Sequence, residues 1–516
     1  MKHRRLISAL LLAALLSGSF AACSEQGDNA DAAAGGDSAQ LQNGGDGGSV
    51  DPAVQEEETE RLTAELPEDL DYGGASVVLM QHPYQAGDWS DWNSRDLYAE
   101  GYTGEPVNDA VYSRNLAVEE RLNVHLDVQE VGDMPGAIQR QVKAGTGDYH
   151  ISTARIQTLP STVLEGYLVD LHNMPHMDLT KPWYDQKCIG EASFYDLLYY
   201  VTGDMVILDD DSTGAMVFNK QLIGDYSLDM PYDLVAEGTW TLDRMGLMAG
   251  AVADDLNGNG EVDLLEDRFG ILWQRDAVVS FMHGSEVRLV DKNAEGEPEF
   301  VIGSERAVNV FDKLDALLFD PHVVQNIHNY EGKFSDIYET ESNVFRANNA
   351  LFMWIRMRVA ENLRDMETDF GIIPVPKFDE EQKTYYSTIN KYTAASVCIP
   401  NSGGFDLDAA GAVVELMSAE GHYGLREAYY DINLGTKVSR DPESTAMLDL
   451  IIENRVYDAG EIYSIGGIAD KLYAATQGSS IELTTLLAKN EKMMKTSLEK
   501  NFVKKFKALA EAAGGN

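Results

Sequence analysis

The order of elements in this chain predicts an α/β fold built as two lobes, and three observations carry that reading. Short apolar runs alternate with helical patterns between residues 75 and 171. The length of 516 residues exceeds one ordinary domain. Hydrophobic residues make up 44% of the chain, enough to fill substantial cores.

Taken in order, ASVVLMQ (75–81) is a largely apolar run of strand length. VNDAVYSRNLAVEERL (107–122) places Val107, Val111, Leu116 and Leu122 at helical spacing, and VHLDVQE (124–130) alternates as a strand does. A helix over 134–144, a strand in DYHISTA and a helix in PSTVLEGYLVDL complete the order β-α-β-α-β-α, that of a largely parallel sheet. Beyond residue 176 the order recurs less regularly. Strands are predicted in AMVFNK (215–220), FGILW (269–273), DFGIIPVP (369–376) and YTAASVCIP (392–400). Helices are predicted in WTLDRMGLMAGAVA (240–253) and in SERAVNVFDKLDALLF (304–319), the latter capped by Ser304. Residues 446–455 and 480–512 return to helix, and no short internal repeat is present.

Charge narrows the function. The net charge is −45. Residues 1–22 hold three of the 40 cations (Lys2, Arg4, Arg5) and no acids, so removing them leaves 37 cations against 85 acids, about −48. A chain of that sign repels nucleic acid and anionic surfaces and attracts cations. MKHRR, LISALLLAALL and SFAAC form a basic region, a short apolar core and a small-residue site before a cysteine, the pattern of a secretion signal. It resembles a bacterial lipoprotein signal in which Phe20 stands where Leu is usual. Cys23 is then the expected acylated residue, anchoring the protein to the membrane without spanning it. Residues 24–60 are rich in Gly, Ala, Asp, Ser and Gln and lack aromatics, as a flexible tether does. Cys188 and Cys398 remain; one disulfide is possible, and two small buried thiols are the expected reading.

DLNGNGEVDLLE (255–266) fits the twelve-residue calcium-loop pattern at every position. Its ligands would be Asp255, Asn257, Asn259, the backbone carbonyl of Glu261, Asp263 and a bidentate Glu266, with Gly260 at the sharp turn. The predicted flanks are a helix and a strand, and no second copy exists to pair with it. A paired-helix sensor is therefore not expected; a calcium staple in one lobe is. ILDDDST (207–213) gathers Asp209, Asp210 and Asp211 and reads as a solvated acidic turn, with hydroxyl or cation binding as its alternative.

Several stretches, in their order and spacing, resemble family 1 extracellular solute-binding proteins of ABC importers, in the long lipoprotein form of Gram-positive bacteria. They are GEPVNDAVYSRN (104–115), GTGDYHI (145–151), MVFNKQLI (216–223), GTWTLDRM (238–245), DFGIIPVPKFDEEQ (369–382), EAYYDINLGTKVSRDPES (427–444) and MLDLIIENRVYDAGEIY (447–463). The resemblance implies a type II periplasmic-binding-protein-like fold: two discontinuous α/β lobes joined by hinge strands, with ligand in the cleft. It places lobe 1 at 67–175 plus 368–432 and lobe 2 at 176–367 plus 433–516. It implies a monomer that captures a sugar or short oligosaccharide and delivers it to ABC permease subunits.

Open α/β sheets bind ligands beyond the carboxyl ends of their strands. The loop 82–92 offers Tyr84, Trp89 and Trp92 as stacking faces and Asp88 as an acceptor, the mixture a sugar needs. Arg155 and Gln157 follow the HISTA strand. Trp354 in LFMWIRMR stands near a position where the family often places an aromatic residue, and Trp183 stands at the inter-lobe crossing. No GxSxG or HExxH motif is present, so no catalytic residue is expected. The same fold with a peptide, amino acid or polyol as ligand stays open. So do a surface glycan-degrading enzyme and a calcium-dependent adhesin.

Overall fold

The computed structural model describes residues 61–83, 95–430, 442–478, 480 and 482–514. Its first strands in chain order are β1 (Ala75–Gln81), β2 (Val124–Glu130), β3 (Ile151–Arg155), β4 (Gly214–Asn219), β5 (Phe269–Trp273), β6 (Val290–Lys292) and β7 (Pro298–Phe300). They continue with β8 (Val324–Asn326), β9 (Ala350–Arg356), β10 (Phe370–Ile373), β11 (Ser387–Thr388), β12 (Ala395–Cys398) and β13 (Arg455–Val456).

Two sheets organise Arg61–Asn516, which form one compact unit. The first has the order β12-β3-β1-β2. β1 runs parallel to both β2 and β3, and only β12, arriving from the second lobe, runs antiparallel. The second has the order β10-β4-β9-β5-β8 and is mixed, with β5 parallel to β8 and β9, and β4 antiparallel to β9 and β10. A core lies on each of its faces. Met216 and Phe218 of β4 enter one, while Ala215 and Val217 enter the other. Burial on both sides is why β4, β5 and the first six residues of β9 read as unbroken apolar runs rather than alternating ones.

The helix Pro106–Leu122 shows how local sequence sets these elements. Pro106 fits the first turn, the Glu105 side chain accepts from the Asn108 amide, and Asn123 closes the helix in the left-handed conformation at φ 48°. Its buried face is Val107, Val111, Arg114, Asn115, Val118 and Leu122, and Leu116, expected inside, is exposed. The places Leu116 was expected to help fill are held by polar side chains. Arg114 donates to the Met205 and Asp96 carbonyls at 2.7 Å each, and Asn115 donates to the Leu97 carbonyl at 2.8 Å. The helix expected over 160–171 is Leu159–Leu164, ending at Gly166 with φ 72°.

Sheet pairing and core membership place the crossings later than expected. Residues 183–206 pack with the first lobe, and Val201 bridges to Val397 of β12. The first crossing is therefore near 207, not 176. The return follows β10, which pairs with β4, so the second lobe extends past 367. The tail is shared: Tyr457, Ile462, Phe502 and Phe506 belong to the first core, and Ile468, Leu472 and Met494 to the second. Cys188 and Cys398 are both buried and unpaired in the first lobe. Among the described residues, no helix is long and apolar enough to cross a membrane.

Candidate functional site

A cavity of about 820 Å³ opens where the carboxyl ends of β3, β5, β8 and β9 meet. The first lobe contributes Gln157, just after β3; Tyr392, which packs on the second core, and Thr393 precede β12. The second contributes Gln274, Arg275 and Asp276 after β5, His328 after β8, and Arg356 and Arg358 at the end of β9. One side wall is the helix Ile337–Arg346 with Tyr338 and Glu341; another is the helix Ile468–Ala475 with Asp470 and Tyr473. Parallel strands bring their carboxyl ends to one edge, so chain segments far apart in sequence converge here.

Among the described residues, three tyrosines line the cavity. Tyr338 lies with its ring centroid 5.8 Å from the Arg356 guanidinium and 5.8 Å from the His328 ring, and its hydroxyl lies 3.3 Å from His328 Nε2. Tyr392 and Tyr473, which also line the cavity, are 6.3 Å apart; Tyr392 donates to Asp470 at 3.1 Å and Tyr473 to Glu461 at 2.7 Å. Behind Tyr473, burial pushes the Glu461 carboxyl up to about 7, against the pull of the Lys391 ammonium and the Tyr473 hydroxyl. Lys391 Nζ donates to the Glu461 carbonyl at 2.9 Å. The two lobes are tied at the cavity rim by Asn390 donating to Asp276 at 2.6 Å. Burial holds His328 below its ordinary value, so the imidazole is neutral near pH 7. Tyrosine faces flanked by oriented carboxylates, amides and guanidinium groups can stack a ring and bond several hydroxyls.

The sequence-predicted ligand residues divide. Gln157 lines the cavity. Arg155, two residues earlier, is 4% exposed on β3 beside His82, which burial and then the Arg155 charge push down to about 4. Trp354 is not brought to the cavity: β9 has a core on both faces, and Trp354, opposite Met216, is packed into one of them at 2% exposure. The residues of LFMWIRMR that reach the cavity are Arg356 and Arg358, because they stand at the strand's carboxyl end. Trp183 is fully buried in the first-lobe core. Tyr84, Asp88, Trp89 and Trp92 lie outside the described residues, as does Cys23. Sequence reading missed Gln274–Asp276, which the same strand-end rule applied to FGILW would have found. It also missed Tyr473, for which a helix of ordinary pattern gives no signal.

Asp209, Asp210 and Asp211 form no solvated turn. Their exposures are 1%, 5% and 0%, in a short helix Leu208–Asp211 at the lobe crossing. Arg455 Nη1 contacts Asp209 at 3.2 Å and Asp210 at 2.6 Å, while its Nη2 contacts Asp185 at 2.7 Å. Asp211 is met by Arg95 at 3.2 Å, Arg358 at 3.4 Å and the Tyr429 hydroxyl at 2.7 Å. Three carboxylates around one guanidinium leave an excess of negative charge. Burial, and then a neighbouring carboxylate, raise the Asp209 carboxyl far above its ordinary value and Asp210 to about 6, against the pull of Arg455.

The calcium-type loop is exposed and closed at its base by the Asp254–Arg268 backbone pair. Asp255 accepts from the Gly258 amide at 2.8 Å and the Gly260 amide at 2.7 Å, which holds its carboxyl below the ordinary value. Both glycines have φ near 70°, at 70° and 75°. Asn257 donates to Glu266 at 3.0 Å, so loop positions three and twelve are already together. Asn259 and Asp263 accept from the amides of Glu261 and Leu265. A carboxylate carries about four lone-pair sites, and these bonds leave several for a cation. Such hard oxygen donors suit calcium. Among the described residues, no three His, Cys, Asp or Glu side chains gather as a metal group; this loop's donors include two Asn side chains and one backbone carbonyl.

No protein-family model matches the sequence, and no curated protein matches it. Solved structures do match. A cyclo/maltodextrin-binding protein complexed with maltotetraose superposes with a TM-score of 0.56 at 13% identity, covering 83% of this chain and 98% of that one. The maltose-binding periplasmic protein of Listeria monocytogenes, in complex with maltose, gives 0.54 at 12%, covering 84% and 100%. An ABC substrate-binding protein from Listeria monocytogenes in complex with cycloalternan gives 0.53 at 12%, covering 82% and 99%. The chain has the two-lobe α/β fold of maltose-binding-type solute-binding proteins.

Proposed function

We propose that this protein is a solute-binding protein that captures a sugar or short oligosaccharide in the inter-lobe cavity and delivers it to an ABC permease. The observation that carries the reading is the cavity itself. It is sited at the strand carboxyl ends of both lobes and lined by Tyr338, Tyr392 and Tyr473. The fold supports it, since neighbours with this fold bind maltotetraose, maltose and cycloalternan. Closure of the lobes over ligand, by hinge motion at 207–213 and 374–394, is the form the permease would read. The work is binding without turnover. Acylation at Cys23 would hold the protein as a monomer on the outer face of the membrane, with residues 24–60 as tether. Asp255, Asn257, Asn259, Glu261, Asp263 and Glu266 would hold a structural calcium ion, which cross-links the loop and supplies no chemistry to the cavity.

The test is a thermal-shift screen of the purified full chain against mono- and oligosaccharides. Ligand at 100 times its Kd adds about 2.7 kcal/mol to stability. A shift confined to one glycan class supports the reading and names the ligand; no shift with any glycan overturns it. Tyr338→Ala should then lower affinity roughly tenfold, the loss of one stacked ring. Its ligand-free melting temperature should stay near wild type; unchanged affinity would remove Tyr338 from the site.

A further inference from the structure

Glu341 lies on the helix Ile337–Arg346, facing the ends of β5 and β9, and is 2% exposed. Its Oε2 accepts from Gln274 Nε2 at 2.8 Å, and Gln274 Oε1 in turn accepts from Arg356 at 3.2 Å. Gln274 and Arg356 line the cavity. The other oxygen, Glu341 Oε1, is buried with no hydrogen-bond partner. The amide of Gln274 is thus fixed from both ends: its NH₂ group points to Glu341 and its carbonyl to the guanidinium.

We propose that Glu341 is a proton-linked positioning residue of the cavity. As the neutral acid it holds Gln274, and through it Arg356, in the ligand-gripping arrangement; as the anion it draws Arg356 away. This inference rests on the cavity being the ligand site.

A carboxylate with one bare, buried oxygen is poorly compensated for its lost hydration, so the site favours the neutral form. Burial pushes the carboxyl up to about 8; Gln274 and Arg356 pull it partly back, and Asp276 pushes it further up. Once ionised, its bare oxygen becomes a charged acceptor that attracts Arg356, whose charge already acts on this carboxyl, in surroundings where water screens little. The guanidinium would then leave the Gln274 carbonyl and the Tyr338 ring. The other charged or titratable groups lining this part of the cavity are Arg275 and Asp276 after β5, His328 after β8, Arg358 after β9, Asp336 capping the same helix, and Tyr338 and Glu339 on it. Burial holds His328 below and Tyr338 above their ordinary values, which removes both from the range near pH 8. Burial raises Glu461, behind Tyr473, to about 7, so a comparison with a Glu341 variant is needed to separate the two.

The experiment is calorimetric titration of the full chain with maltotetraose from about pH 6.5 to about 9.5, on wild type, Glu341→Gln and Glu341→Ala. Wild-type affinity should fall roughly tenfold through the ionisation of Glu341, whereas Glu341→Gln, which keeps the neutral shape and the Gln274 bond, should stay within about twofold. Glu341→Ala should bind more weakly at every pH. Matching pH profiles for wild type and Glu341→Gln, or full affinity in Glu341→Ala, would overturn the inference. Absence of maltotetraose binding at any pH counts against the ligand reading instead. The inference then stands or falls on infrared difference spectra of wild type minus Glu341→Gln. A carboxylic C=O band lost near about pH 8 supports it, and a band absent already at neutral pH overturns it.

Discussion

Two acidic stretches, ILDDDST at 207–213 and DLNGNGEVDLLE at 255–266, look alike in sequence and end in opposite places. Asp209, Asp210 and Asp211 are buried at the lobe crossing, while Asp255, Asn257, Asn259 and Glu266 stand on the surface. The difference lies in where their donors come from. The loop is served by its own amides, two to five residues away. The buried trio is served by Arg95, Arg358 and Arg455, which stand 116 to 246 residues away. A buried carboxylate keeps its charge where fixed cations and donors await it, and no local pattern states that.

The largest break of this contrast is Arg455→Met. It leaves Asp185, Asp209 and Asp210 buried without their shared cation, and removing one partner of a buried ion pair costs about 3–5 kcal/mol. Urea unfolding should show that loss at neutral pH. Arg455→Lys keeps the charge but not the fork, so it should recover only part. Wild-type stability in Arg455→Met would mean that Asp185, Asp209 and Asp210 need no shared cation.

The next effect concerns pH. Asp210 is raised in the folded state, so folding takes up a proton there, and the group's cost to stability appears as pH rises from about 4 to about 6. Lowering pH from 7 to 5 should therefore favour wild type over Asp210→Asn, by about 1–2 kcal/mol. This is the reverse of the usual carboxylate. Parallel pH curves for the two proteins would show that Asp210 is ionised throughout.

The same contrast explains what was legible. β1 to β3, the helix after β1 and the strands FGILW and DFGIIPVP were readable because periodicity and end-capping are local properties. The lobe crossings were misplaced because the turns of 183–206 carry no marker of which lobe they pack on; their place in the first core and the bridge of Val201 to Val397 settle it. In the cavity, Gln157 was found by the strand-end rule. Trp354 was misjudged because residue type outweighed position. On an interior strand with a core on each face, Trp is the residue that fills space, and the polar residue at the strand end, Arg356, reaches the cavity. Glu341 had no signal at all, since its partner Gln274, and the Arg356 that bonds Gln274 in turn, arrive from the ends of two strands distant in sequence.

The smallest effect tests the exposed stretch. With Asn257 already bonded to Glu266, calcium would find loop positions three and twelve side by side and bind with little rearrangement. At ten times its Kd it would add about 1.4 kcal/mol to stability. Glu266→Gln removes the one bidentate ligand, so its melting temperature should not respond to calcium while that of wild type rises. In chelator the two should melt within about 0.5 kcal/mol of each other, since an exposed carboxylate bonded to one amide contributes little. Equal melting in calcium would remove the metal and leave a turn held by its own amides, and the contrast with the buried trio would then rest on burial alone. A calcium response in wild type only would sharpen it: one acidic stretch neutralised by distant arginines, the other by an ion from outside.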